Sequence, residues 1–289
     1  MAELTPGFLR HFKACNRHDL GQFTRFRIDG RDYGWIAKSL HNLIADLPDV
    51  FTVSDNSIDL ASRFADFDAR SQILDDVSRD IAHHFGTKMR REMYPIIQQW
   101  GDVPLAQIDR AAVPWFGVKG FGIHVNGFVR KPDGIYLWIG ERAGDRLIDP
   151  GKLDNMIGGG QPIGLSLEEN VCKEAEEEAG LDATVARTAK QVSTIHYRLE
   201  RHNGLRNDVL FVYDLELPAD LIPRNTDGEV AGFHLLPVAE VAEIVRTSNR
   251  FKFNCNLVII DFMIRHGFLP PDHAEVAAIR TYLDTPISA

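Results

Sequence analysis

Apolar residues recur every four positions through one stretch of the chain, at Leu167, Val171, Ala175 and Ala179. That spacing predicts a helix with a single apolar stripe, able to pack on a sheet. Its ends are marked. Ser166 is suited to open it, and Glu169, three residues on, can reach back and complete a capping box. Gly180 is the natural left-handed residue to close it.

The rest of the chain divides by the same signals. Residues 1–20 read as a short amphipathic helix with Leu9, Phe12 and Leu20 inward. Phe26–Ile36 reads as a hairpin about an Asp29-Gly30 turn. Ala37–Leu47 has helical spacing and ends before Pro48, and residues 51–55 read as a short strand. Arg70–Phe85 is a helix with Ile73, Leu74, Val77, Ile81 and Phe85 on one face. Residues 93–100 read as a strand. His83 and His84 are neighbours on that helix and do not face a common point, so they carry no metal reading.

A linker-like change follows at Pro114 and residues 117–122. Strands are expected at Gly122–Arg130 and Ile135–Arg142, joined by Pro132-Asp133-Gly134, and then at Val192–Leu199, Asp208–Leu217 and Val230–Leu236. Two more helices are expected at Val238–Thr247 and Asn254–His266. Strands interleaved with well-separated helices predict an α/β fold, a mixed sheet covered on both faces. A smaller α+β N-terminal domain precedes it. The expected division is 1–115, 116–275 and a C-terminal tail over 276–289.

Chemistry concentrates on the first helix described. At about 100° per residue, Glu174 and Glu178 stack on one edge of its apolar stripe. Glu177 lies beside them, and Glu176 points toward water. Like charges four apart repel by a few tenths of a kcal/mol. Carboxylates in a last turn also face the negative end of the helix dipole, a penalty of about 0.3–1 kcal/mol. By spacing alone the run reads either as a solvated acidic helix end or as a site for a divalent cation, which would remove both conflicts and suits Mg²⁺ or Mn²⁺. Nothing before residue 115 has the look of a catalytic constellation.

Composition narrows the partners. At 289 residues two domains are expected. A net charge of −9 argues against nucleic acid, though not against an anionic substrate at a metal site. The three cysteines, Cys15, Cys172 and Cys255, are odd in number and scattered, which suggests a reducing compartment and no zinc site. The first fifteen residues lack a signal-peptide core. The longest apolar run, LVIIDFMI, is broken by Asp261 and is too short for a membrane span. These signs point to a cytoplasmic protein that binds a small molecule, with no nucleic acid and no membrane partner. The oligomeric state stays open, a homodimer included.

Gly158–Leu181 resembles the Nudix box, in which a glycine precedes Arg-Glu-aliphatic-x-Glu-Glu-x-Gly-aliphatic. The box glycine falls on Gly159. The acid after the arginine falls on Glu174, the aliphatic on Ala175, and the terminal motif on Glu177-Glu178-Ala179-Gly180-Leu181. Two positions depart: an early box glutamate is Leu165 here, and the arginine is Lys173. In the family that Glu and Arg pair and brace the loop, so losing both is a coherent change. Further stretches (GIHVNGFV, LWIGER, PGKLDNMIGGG, NDVLFVYDLELP, NTDGEV, LVIIDFMIRHGF) resemble the thiamine-pyrophosphokinase-related Nudix hydrolases, which carry an accessory N-terminal domain.

The resemblance implies the MutT-like Nudix α/β/α sandwich and metal-dependent hydrolysis of a diphosphate. The implied substrates are thiamine diphosphate or nucleoside-diphosphate-like compounds. Damaged or analogue forms come first, oxothiamine or oxythiamine diphosphate, cleaved to monophosphate and phosphate in a metabolite-repair role. It assigns Glu174, Glu177 and Glu178 to Mg²⁺ ligation or water activation, with the backbone at Gly158 or Gly159 as a further ligand. Glu229 in DGEV matches a downstream glutamate that serves as extra ligand or base. Arg142, Lys152 and Lys173 are the basic residues nearest the box, and Arg142 is the expected phosphate ligand with Lys152 beside it. Trp138, Tyr197 and Phe211 either fill the core or offer aromatic faces to a cationic ring. His124 and Asn126 alternate along one strand and share a face, where they either read the pyrimidine or hydrogen-bond the backbone. Two other readings stand. One is a diphosphate isomerase of the isopentenyl-diphosphate type, which would need a pocket cysteine such as Cys172. The other is a non-catalytic Nudix-like ligand sensor.

Overall fold

The computed structural model describes residues 6–145, 148–202 and 204–285. The N-terminal part runs α1 (Leu9–Cys15), β1 (Phe23–Ile28), β2 (Arg31–Ala37), α2 (His41–Ala45), β3 (Phe51–Val53), β4 (Ser57–Leu60), α3 (Phe67–His84), β5 (Met93–Ile96), β6 (Ala106–Asp109) and α4 (Val113–Phe116). Then come β7 (Lys119–Lys131), β8 (Gly134–Arg142), β9 (Leu153–Asp154), β10 (Ile157–Gly160), α5 (Leu167–Ala179), α6 (Ala183–Ala186), β11 (Lys190–Arg201), β12 (Gly204–Glu216), β13 (Val230–Pro237), α7 (Val238–Thr247), α8 (Cys255–Arg265) and α9 (Val276–Leu283).

The expected β1–β2 hairpin forms, with Asp29 and Gly30 both at positive φ in its turn. It belongs to a four-stranded sheet in the order β2-β1-β4-β3, and β5 and β6 make a separate antiparallel ribbon. Phe26, Ile36, Ile58, Leu74, Val77, Ile81, Trp115 and Phe116 belong to one buried cluster between these strands, α3 and α4. The expected helix over Ala37–Leu47 is shorter, since Lys38–Leu40 forms a single 3₁₀ turn before α2.

The second sheet is mixed, in the order β11-β12-β7-β8-β13, with β10 on β7 and β9 on β8. Its central strands are buried on both faces, so they read as near-continuous apolar runs. Ile123, Val125 and Val129 of β7 turn toward α5 with Val209 and Phe211 of β12. Leu210 and Val212 turn the other way, toward α7 and α8. β12 runs parallel to β7 from Asn207↔Lys119 onward, a pairing across the whole α5 crossover that no local signal announces. This is the α/β/α sandwich that the sequence resemblance implies.

The segment expected as a C-terminal tail corrects that expectation. Val276 and Ile279 of α9 are buried in the same cluster as α8. α1 joins them: Phe8, Phe12 and Cys15 lie in that cluster, and Glu275 accepts from the backbone N–H groups of Phe8 at 3.0 Å and Leu9 at 3.1 Å. The first helix is therefore part of the second core, not of the first.

Candidate active site

The box helix α5 forms as its pattern requires. Ser166 accepts from Glu169 N at 3.2 Å, Glu169 accepts from Ser166 N at 2.8 Å, and Gly180 closes the helix at φ 60°. Val171, Ala175 and Ala179 are buried against the sheet. The last turn is also capped from outside. Arg224 N donates to Ala179 O at 2.8 Å, and the Thr226 hydroxyl reaches Glu177 O at 2.7 Å. These donors offset the dipole penalty at the helix end.

Two of the box acids turn inward. Glu178 is only 7% exposed and accepts the Gly158 N–H at 2.7 Å. Burial, then the charge of Glu174, pushes its carboxyl well above the usual range. Glu174 is also raised, chiefly by burial. A side chain on Gly159 would collide with the Glu174 carboxyl group, so the bare backbone is what lets the two meet. Glu177 is half exposed, and the Lys173 ammonium bridges it at 2.5 Å and Glu174 at 3.3 Å. Glu176 is exposed, as expected. Glu229 lies on the loop three residues past Thr226, where its carbonyl accepts from Ala143 N at 2.9 Å.

The other expected ligands sit differently. Arg142 is closed into an ion pair with Asp154 at 2.6 Å and donates to the carbonyls of Ile148 and Asp149, so its guanidinium is spent on its own loop. Lys152 pairs with Asp149 at 2.9 Å. His124 and Asn126 do share a face, but it is the face turned from α5, and both are buried. They belong to a polar chain. His124 Nδ1 meets Asn155 Oδ1 at 2.8 Å, Asn155 Nδ2 donates to Asn126 Oδ1 at 3.1 Å, and Asn126 Nδ2 donates to Asp214 at 3.1 Å. Tyr197 corrects its expectation too. It is fully buried, with its hydroxyl donating to Asp208, and presents no surface to a ligand. Trp138 is buried in the α5-side core.

Sequence reasoning missed four polar residues around the box. Asp154 is bonded by Arg142, by Lys252 at 3.4 Å and by the Cys255 thiol at 2.5 Å. Burial opposes its ionisation, but Lys252, His124 and Arg142 outweigh that and hold it down to about 2. Asn170, fully buried, donates to Gly160 O at 2.8 Å and to Gln161 Oε1 at 3.0 Å, while Gln161 donates to Leu165 O at 2.8 Å. These amides brace the loop that the absent Glu–Arg pair braces in the family pattern. The signal for Asn170 was a polar residue three positions after Leu167, on the apolar side of the helix.

The two acidic groupings differ in what they can hold. Among the described residues, His124, Asp154 and Cys255 bring ligand atoms within 4.8 Å of one another. Two cations already balance Asp154, however, and burial pushes the Cys255 thiol up. Glu174 and Glu178 crowd together with far less compensation. That surplus of buried negative charge, with hard oxygen donors and bare glycine backbone, fits a divalent cation.

A relative in Arabidopsis thaliana, "Nudix hydrolase 24, chloroplastic", is 41% identical over 280 residues, 92% of this chain and 74% of the relative. The chain belongs to the Nudix hydrolase family. Arabidopsis "Nudix hydrolase 20, chloroplastic" is 38% identical over 278 residues, again 92% of this chain and 74% of the relative. A profile described as "Domain of unknown function (DUF4743)" matches residues 7–120 of this Nudix hydrolase. Among solved structures, the Nudix domain of Shewanella oneidensis NrtR complexed with ADP ribose is 16% identical over 52% of this chain and 90% of that one, with a TM-score of 0.42.

Proposed function

We propose that this Nudix hydrolase is a Mg²⁺-dependent pyrophosphohydrolase of thiamine-diphosphate-type compounds, damaged or analogue forms included, releasing monophosphate and phosphate. The observation that carries the reading is the convergence of Glu174 and Glu178 on Gly158-Gly159, two crowded carboxylates with Lys173 as the cation paired to Glu174. Glu174, Glu178, Glu177 and the glycine carbonyls would hold the metal, with Glu229 reaching in from its loop. Mg²⁺ bound there would supply charge neutralisation for a diphosphate and a lowered pKa for an attacking water. A box carboxylate would take the proton from that water. Lys173 holds Glu174 and Glu177 in register.

The thiamine assignment draws on the sequence stretches that resemble that subfamily. A flat cationic ring is also suited by Trp100, partly exposed and packed on Phe121 at 5.5 Å and Phe211 at 5.9 Å between ring centroids. The isomerase reading gains nothing, because Cys172 packs beside the apolar core and burial raises its thiol. The N-terminal part, on this proposal, is accessory to the catalytic fold. A cytoplasmic or other reducing site is part of the proposal, as Cys15, Cys172 and Cys255 are all free. Among the described residues no helix is long and apolar enough to cross a membrane.

Purified protein with Mg²⁺, offered thiamine, oxythiamine, adenosine and isopentenyl diphosphates, tests the reading. Phosphate release from the thiamine compounds, stopped by EDTA, is expected. No phosphate from any of them, with Mg²⁺ or Mn²⁺, would overturn it.

A further inference from the structure

We propose that the N-terminal β5–β6 ribbon completes the active site, with Arg110 as a ligand of the substrate's diphosphate. The inference rests on the hydrolase reading and adds a residue that lies outside the box.

The ribbon is fastened to the box loop. Ile163 N donates to Met93 O at 2.9 Å. The Tyr94 hydroxyl fills the space where a side chain on Gly160 would stand, and the Arg110 guanidinium carbon is 3.2 Å from that same point. Gly160 therefore does for the ribbon what Gly159 does for Glu174. The base of the ribbon is rigid as well, because the buried Asp109 carboxylate accepts from the N–H groups of Arg90, Arg91 and Ala111.

Arg110 is held without being used up. Arg110 Nη1 donates to Glu92 Oε2 at 2.7 Å, and its guanidinium lies 5.9 Å from the centre of the Tyr94 ring. Yet 47% of the side chain stays open to solvent. Glu92 is its sole side-chain acceptor among the described residues, which leaves several of its five N–H donors for a ligand. Arg206, anchored on Asp208 at 2.7 Å, is near enough for its charge to oppose that of Arg110. Glu92 in turn lies near enough to Glu174 for their charges to repel. Arg110 thus stands beside Gly160 while the Glu174 carboxyl stands beside Gly159. A metal-bound diphosphate has the matching division, with its cations toward the acids and its free non-bridging oxygens toward a planar guanidinium fork.

The test uses the full chain with Arg110→Ala, Arg110→Lys and, as a control, Arg31→Ala at an exposed position at the start of β2. Steady-state hydrolysis of thiamine diphosphate is read together with calorimetric binding of magnesium pyrophosphate. A charge-assisted hydrogen bond of about 1.5–3 kcal/mol corresponds to roughly a 10–100-fold loss. Arg110→Ala should raise both KM and the pyrophosphate Kd by that factor while kcat stays within about threefold. Arg110→Lys should recover part of the loss, since it keeps charge without the fork. Unchanged KM and Kd in Arg110→Ala, or an equal loss in Arg31→Ala, would overturn the proposal. Should Arg110→Ala melt early, Arg110→Gln is read against the same thresholds. Pyrophosphate binding that needs Arg110 in a wild type without turnover would keep the anion site and retire the hydrolase reading alone.

Discussion

Replacing Glu178 with Gln should separate activity from stability. The side chain keeps its shape, and its amide oxygen can still accept the Gly158 N–H that Glu178 accepts at 2.7 Å. What goes is a buried negative charge beside Glu174 and Asp154. Its proton affinity is raised in the fold, so the folded state binds the proton more readily than the unfolded one. Stability is then lost as pH rises from the ordinary carboxylate value, near 4.3, through the raised one. The variant escapes that loss. Each tenfold gain in proton affinity on folding corresponds to about 1.4 kcal/mol, and about 1 kcal/mol moves the Tm of a chain this long by roughly 2–4 °C. In EDTA, Glu178→Gln should melt a few degrees above wild type at pH 8 and level with it at pH 4.5. With Mg²⁺ and thiamine diphosphate its kcat should fall about 10²–10⁴-fold, the usual contribution of a positioned proton acceptor. Calorimetric melts and phosphate release check both halves. A lower Tm at pH 8, or turnover within tenfold of wild type, would refute the reasoning.

Three other outcomes are expected. Gly159→Ala meets no backbone obstacle, since Gly159 is not among the glycines at positive φ, but its new methyl displaces the Glu174 carboxyl; kcat should drop at least about tenfold with Tm nearly unchanged, and equal activity would remove Glu174 from the site. Phe12→Ala should cost about 3–5 kcal/mol, measured by urea unfolding, because Phe12 is fully buried against α8 and α9; a cost under about 1 kcal/mol would detach α1 from that core. Burial holds His124 and His11 down to about 4. Between that value and about 6.5 the unfolded chain binds protons that the folded chain does not, so stability should fall as pH drops through that window. His124→Gln should flatten part of the slope, and an unchanged slope would contradict the buried neutral ring.

What could be read in advance followed from local rules. The ends of α5 were visible because a capping box and a left-handed glycine are sequence-local devices. The β7–β8 hairpin followed from Pro132-Asp133-Gly134 between apolar runs, and α7 appears with the bounds its periodicity gave. The parallel β12–β7 pairing and the joining of α1 with α9 were not visible, as both depend on partners far apart; the bond from Phe8 N to Glu275 spans 267 positions. The acids of the box were legible because helical spacing puts them together. Asp154, Lys252 and Arg110 were not, because each stands alone in a loop or strand end and meets the box only in the fold. His124 and Asn126 were placed on a common face correctly, but alternation alone cannot say which layer of a sandwich that face meets.

The central claim is that the box carboxylates hold a cation against a phosphate chain. Electron–nuclear double resonance on Mn²⁺-loaded protein with methylenediphosphonate, which cannot be hydrolysed, reads that contact directly. The expected spectrum shows ³¹P coupling to the bound Mn²⁺ in wild type and loses it in the Glu174→Gln, Glu178→Gln double variant. Bound Mn²⁺ without ³¹P coupling, or coupling that survives in the double variant, would contradict the account.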